Sequence, residues 1–134
     1  MRILLDTHIL LWALDAPEKL PEEIQDRLES PATEVFFSAA SIWEIAIKSA
    51  LGKLTFPYPS REIANVAQKT GFMELPITCE HAAGVATLPI HHNDPFDRLL
   101  IAQTLSLPAR LITADKVLPV YSELVELIYV HTAR

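Results

Sequence analysis

Short apolar runs recur along this chain, separated by longer stretches that carry a helical period. Ile3-Leu4-Leu5, Val35-Phe36-Phe37, Phe72 to Leu75, Arg110 to Thr113 and Leu127 to Val130 read as strands. Helices are expected between them: one through Ile9, Leu10 and Ala13, and a second opened by Leu20-Pro21 with Ile24 and Leu28 on one face. Ser38 to Leu51 reads as a helix stopped by Gly52, and Tyr58-Pro59-Ser60 leads into one ending near Gly71. Thr78 is placed to cap a helix over 79–87, and Asp94-Pro95 to start one running to about Leu105. Strands that are apolar throughout are buried on both faces. Their alternation with helices therefore predicts an α/β fold: a parallel sheet flanked by helices on both faces. In such sheets ligands bind beyond the carboxyl ends of the strands.

The chain has 134 residues, the size of a single domain spanning 1–134, and half of them are hydrophobic, enough for a substantial core. The one cysteine, Cys79, excludes an internal disulfide framework and suits a reducing cytoplasm. The apolar run after Met1-Arg2 is broken at once by Asp6 and His8, so no secretory signal is read, and no stretch approaches the roughly 20 apolar residues that span a bilayer. A soluble protein is expected. The formal net charge of −6 argues against tight metal-free binding of a polyanion, yet it leaves room for acids gathered around metal ions.

Four acids stand where such a sheet presents its ligands. Asp6 follows the first strand, and alone it reads as a helix N-cap. Glu44 completes a capping box with Ser41 and stands four residues before Lys48; if the helix begins at Ser38, it lies instead in the second turn among Ile42, Trp43, Ile45 and Ile47. In Asp94-Pro95-Phe96-Asp97 the first acid is explained as an N-cap, while Asp97 has only the weak helix-dipole role. Asp115, just after the fourth strand, is alone a turn acid. Together the four would share one edge of the sheet and repel one another unless cations intervene. Mg²⁺ or Mn²⁺, hard ions that prefer oxygen donors, would supply that charge. A cluster of this kind can activate water and stabilise charge on a phosphate.

At these residues the chain resembles the PIN-domain family. Ile3-Leu4-Leu5-Asp6-Thr7 is similar to the family's first strand with its leading acid. Ser38 to Ile45 resembles the segment bearing the helical glutamate, and the run from His92 to Gln103 is similar to a pattern of VapC-like members. Leu111-Ile112-Thr113-Ala114-Asp115 resembles the late strand with the fourth acid. The resemblance, in order from end to end, implies a PIN-like three-layer sandwich and a divalent-metal-dependent endoribonuclease, the toxin of a toxin–antitoxin pair. It also implies a homodimer and a cognate antitoxin. It assigns Asp6, Glu44, Asp97 and Asp115 as metal-site acids on Mg²⁺ or Mn²⁺, with Asp97 preferred to Asp94 for the third, and Thr7 and Thr113 in support.

Arg98 is given two equal readings, a partner for the substrate phosphate or for Asp97. His91 and His92 read as loop histidines rather than zinc ligands; His8, at the start of the first helix, is read either as facing the site or as structural, and His131 is expected to be exposed. Trp12, Trp43, Phe36, Phe37 and Phe96 sit in apolar patterns and are expected in the core. Two other classes fit the sequence less well. A non-catalytic interaction module on the same fold is disfavoured by the presence of all four acids. A phosphoacceptor domain is disfavoured because Val35 to Ser38 offers no acceptor aspartate and Lys116 is poorly placed.

Overall fold

The computed structural model describes residues 1–53 and 57–130. Five strands, β1 (Arg2–Leu5), β2 (Glu34–Ser38), β3 (Met73–Leu75), β4 (Arg110–Thr113) and β5 (Val125–Leu127), form one sheet in the order β3-β2-β1-β4-β5. Every neighbouring pair is parallel. The helices between them are α1 (Thr7–Asp15), α2 (Glu22–Glu29), α3 (Ala39–Ala50), α4 (Ser60–Thr70), α5 (Cys79–Gly84) and α6 (Pro95–Ser106). The expected α/β architecture is the one observed. Among the described residues no helix is long and apolar enough to cross a membrane.

The central strand explains why the first apolar run is unbroken. Ile3, Leu4 and Leu5 are all fully buried, because β1 has a strand on either side and helices above and below. Their side chains alternate between two cores. Ile3 and Leu5 join Val35, Phe37 and Ile112 beneath residues of α1, α2 and α4, whereas Leu4 and Leu111 pack with Leu100 and Ile101 of α6. Helix ends follow their local chemistry. Gly71 closes α4 in the left-handed region at φ 103°, a conformation that carries no Cβ penalty only in glycine. Thr78 caps α5 in a full capping box whose return partner is the His81 ring.

The last strand differs from its expected position, Leu127 to Val130. It is Val125–Leu127, and it runs through Glu126, which the apolar pattern passed over. Arg27 of α2 donates twice to the Glu126 carboxylate, at 3.0 and 2.6 Å, and Arg110 stands 3.7 Å away. The acid is thus neutralised at the edge of the sheet, where one strand flank is open. His131 lies outside the described residues.

Candidate metal centre at the carboxyl edge of the sheet

From β1 the chain proceeds outward through β2 to β3, then crosses back to place β4 on the other side of β1. The gap beyond the carboxyl ends of β1 and β4 is therefore the topological switch point, where connections leave in opposite directions and a crevice opens. Asp6 stands immediately after β1, and Thr113 ends β4. The two strands are clamped there: Asp6 N donates to the Ile112 carbonyl at 3.1 Å, and Thr113 Oγ1 donates to Asp6 Oδ2 across the sheet.

Asp6 fulfils its capping role as well, its Oδ1 accepting from Ile9 N at 3.0 Å. Only 7% of it is exposed, and burial raises its pKa against the lowering effect of the Thr113 and Ile9 bonds. Exposed His8, tilted against Trp12, favours the ionised form, and Glu44 opposes it.

The capping-box reading of Glu44 does not survive. Ser38 caps α3, its Oγ accepting from Ala40 N at 2.9 Å, so Glu44 lies in the second turn and is 4% exposed. A buried carboxylate requires partners. Thr7 Oγ1 donates to its Oε1 and stands 3.0 Å from Ser41 Oγ, while Lys48 Nζ donates to Oε2. That bond holds the Lys48 ammonium above its ordinary range.

Asp94 caps α6, its Oδ1 accepting from Phe96 N at 2.9 Å and Asp97 N at 3.1 Å. Asp97 is the most perturbed acid of the group, pushed up to about 7. Burial is the largest cause, followed by the charges of Asp94, Asp6, Glu44 and Asp115. Acids separated by up to 109 positions in the chain therefore act on one carboxyl. Asp115 turns the chain after β4, its N donating to Thr113 Oγ1 at 3.0 Å and its Oδ1 accepting from Val117 N at 2.9 Å.

Tyr121, in a 3₁₀ turn at Leu118–Tyr121, reaches Asp97 through His92. The Tyr121 hydroxyl accepts from Arg98 Nη1 at 3.1 Å, so its own proton is free to go to His92 Nδ1 at 2.8 Å. That assigns Nε2 as the protonated nitrogen of His92, 3.4 Å from Asp97 Oδ2. No sequence pattern marks Tyr121, and His92 was read only as a loop residue. Among the described residues Arg98 makes no ion pair with Asp97. Its guanidinium donates to the carbonyls of Pro89 at 3.0 Å and Val85 at 3.2 Å, tying the segment before α6 to the helix.

The aromatic expectations divide. Phe37 is fully buried, and Trp12 and Phe36 pack against the cores. Trp43 does not join them: it is 57% exposed and meets partly buried Phe96 edge to face, ring centroids 5.2 Å apart at 75°. The apolar pattern misled because Trp43 projects from α3 beside the site, where helix α6 offers one ring rather than a core.

The chain's sequence matches the family model described as "PIN domain" over residues 3–124. It belongs to the PIN-domain family. PIN domains are generally nucleases. Solved structures with the same fold include VapBC2 from Rickettsia felis, bound to a DNA fragment from its promoter. That likeness has a TM-score of 0.71 at 14% identity and covers 95% of this chain and 98% of the other. FitAcB from Neisseria gonorrhoeae matches with a TM-score of 0.56 at 21% identity, over 87% of this chain and 90% of the other. No curated protein sequence matches the chain.

The carboxylates of this PIN domain suit a hard divalent cation in their chemistry: oxygen donors, crowded, with Asp97 receiving repulsion from four neighbours. Their present orientations are set by protein partners instead. Among the described residues no three acidic, histidine or cysteine side chains close on a common point suited to a metal ion.

Proposed function

We propose that this chain is an endoribonuclease dependent on Mg²⁺ or Mn²⁺ and the toxin of a toxin–antitoxin pair, acting in the cytoplasm as a homodimer. The observation that carries the reading is the convergence of like charge on Asp97, which is costly in an isolated protein and would be relieved by a bound cation. The likeness to VapBC2 and FitAcB, both two-component assemblies, supports a partner protein for this chain.

In this reading Asp6, Glu44 and Asp97 hold the ion, with Asp115 reached directly or through water. A bound divalent ion supplies a more acidic water and neutralises charge on the scissile phosphate. The chain's own groups prepare that site. Thr113 orients Asp6 by its bond to Oδ2, and Thr7 orients Glu44 by its bond to Oε1. Lys48 neutralises Glu44. Burial and the neighbouring acids raise the Asp97 carboxyl to about 7, and a cation bound beside it would favour its ionised form. His92 steadies the Asp97 carboxyl through Nε2.

The test is a pool of labelled small RNAs incubated with Mg²⁺, with Mn²⁺ and with EDTA, alongside the Asp6→Asn variant. Cleavage that requires metal and falls at least about 100-fold in the variant is expected. Cleavage that persists in EDTA or at full rate in Asp6→Asn overturns the assignment.

A further inference from the structure

Two adjacent pairs in sequence meet at one helix crossing. Trp43-Glu44 lies on α3 and Phe96-Asp97 on α6, with the rings of Trp43 and Phe96 in contact and the charge of Glu44 acting on Asp97. Consecutive helical residues point about 100° apart, so each helix sends its acid to the crevice and its aromatic to the rim. Glu44 is 4% exposed, whereas Trp43 is 57% exposed. An edge-to-face contact engages one face of one ring at most. It holds Trp43 in place while leaving aromatic surface open.

We infer that Trp43, steadied by Phe96, is a stacking platform for an unpaired nucleobase of the RNA next to the scissile phosphate. The inference rests on the nuclease reading and adds to it the form of the substrate. A chain of net charge −6 with its acids gathered at the site gains little from phosphate attraction. Stacking on an aromatic ring is indifferent to that charge and tolerates every base. A paired base keeps its faces within the duplex, so the platform selects single-stranded segments. Trp43 adjoins Glu44 in sequence and meets Phe96 beside Asp97, so an occupant of its open face borders the acids.

The test uses the full chain carrying Trp12→Phe, which leaves Trp43 as the only tryptophan, together with Asp97→Asn to prevent cleavage. Its fluorescence is followed in Mg²⁺ against a single-stranded RNA oligonucleotide and the matching duplex. Saturable quenching by the single strand, at least tenfold weaker with duplex, is expected. In a chain otherwise unchanged, Trp43→Ala is expected to raise KM about 10- to 100-fold with kcat little altered, equivalent to about 1.4–2.8 kcal/mol, while Trp43→Phe keeps most of the affinity. Because Trp43 is exposed, the far-ultraviolet circular dichroism of both variants should match the parent.

No quenching by RNA, or equal quenching by duplex, overturns the platform. So does an unchanged KM in Trp43→Ala accompanied by loss of a dimer or of a protein complex, which would make Trp43 an interface residue. Quenching by single strands without cleavage in any metal by the unsubstituted chain would keep the platform and remove the nuclease reading, so the two fail separately.

Discussion

Replacing Asp97 by asparagine should make the metal-free protein more stable, contrary to the usual effect of altering a partly buried polar residue. The Asp97 carboxyl is raised from 3.8 to about 7. Below pH 4 it is protonated in both folded and unfolded chains, and its charge has no effect on stability. Between about 4 and 7 the unfolded chain releases the proton while the folded chain retains it, so stability falls as pH rises. Above 7 the full penalty is present. Three pH units correspond to a ceiling of about 4 kcal/mol. The side chain is 19% exposed, and screening by solvent and salt brings the figure to about 1–3 kcal/mol. Asparagine keeps the shape but gives up a helix-dipole contribution of about 0.3–1 kcal/mol at the start of α6. The net gain at pH 8 is then about 1–2 kcal/mol, a rise in Tm on the order of 3–10 °C. Thermal unfolding in EDTA from pH 5 to 8.5 measures it. The gain should shrink steadily below pH 7, and added Mg²⁺ should reduce or reverse it by stabilising only the parent. A variant less stable than the parent at pH 8, or a gain of the same size at pH 5, would refute the claim that repulsion among these acids dominates the site.

Two further outcomes follow from single contacts. Thr113→Val removes the buried hydroxyl that joins Asp6 Oδ2 to Asp115 N, and should cost about 1–3 kcal/mol in chemical denaturation together with most of the cleavage activity; an unaffected midpoint would show the clamp to be dispensable. Glu126→Gln should destabilise at pH 7 by about 1 kcal/mol, with the difference from the parent vanishing as pH falls below the carboxylate range, because Arg27 holds the Glu126 pKa below 4.5 and its stabilisation is lost on protonation. A difference that persists at pH 3 would assign the effect to packing rather than charge.

The parts of this molecule that could be read from its sequence are those fixed by short-range chemistry. Ile3-Leu4-Leu5 announces a central strand because burial on both faces leaves no polar position, and Asp94-Pro95 announces the start of α6 because cap and proline act within one turn. Asp6, Asp97 and Asp115 were visible for the same reason, since each follows or opens an element, whereas Glu44 stood out as an acid among apolar residues in the second turn of α3. Three features escaped. β5 was displaced because Glu126 looks polar in one dimension and is neutralised only by Arg27, which is 99 positions away. Trp43 reads as core in the sequence because apolar periodicity cannot register a missing neighbour. Tyr121 gave no signal, since its value lies in touching His92 and Arg98 from a turn whose position is set by the whole sheet.

The clamp between Thr113 and Asp6 spans 107 positions, and it joins strands that sit side by side. During synthesis β1 waits with one flank unpaired until β4 has been made. Until then the chain holds Asp6 without Thr113, the partner that fixes its carboxylate, and without Asp115. The edge that carries these acids stays unfinished throughout that interval and closes only when β4 pairs with β1. That interval is also the time in which a binding protein could reach it, because parallel pairing over such distances is among the slower steps in folding.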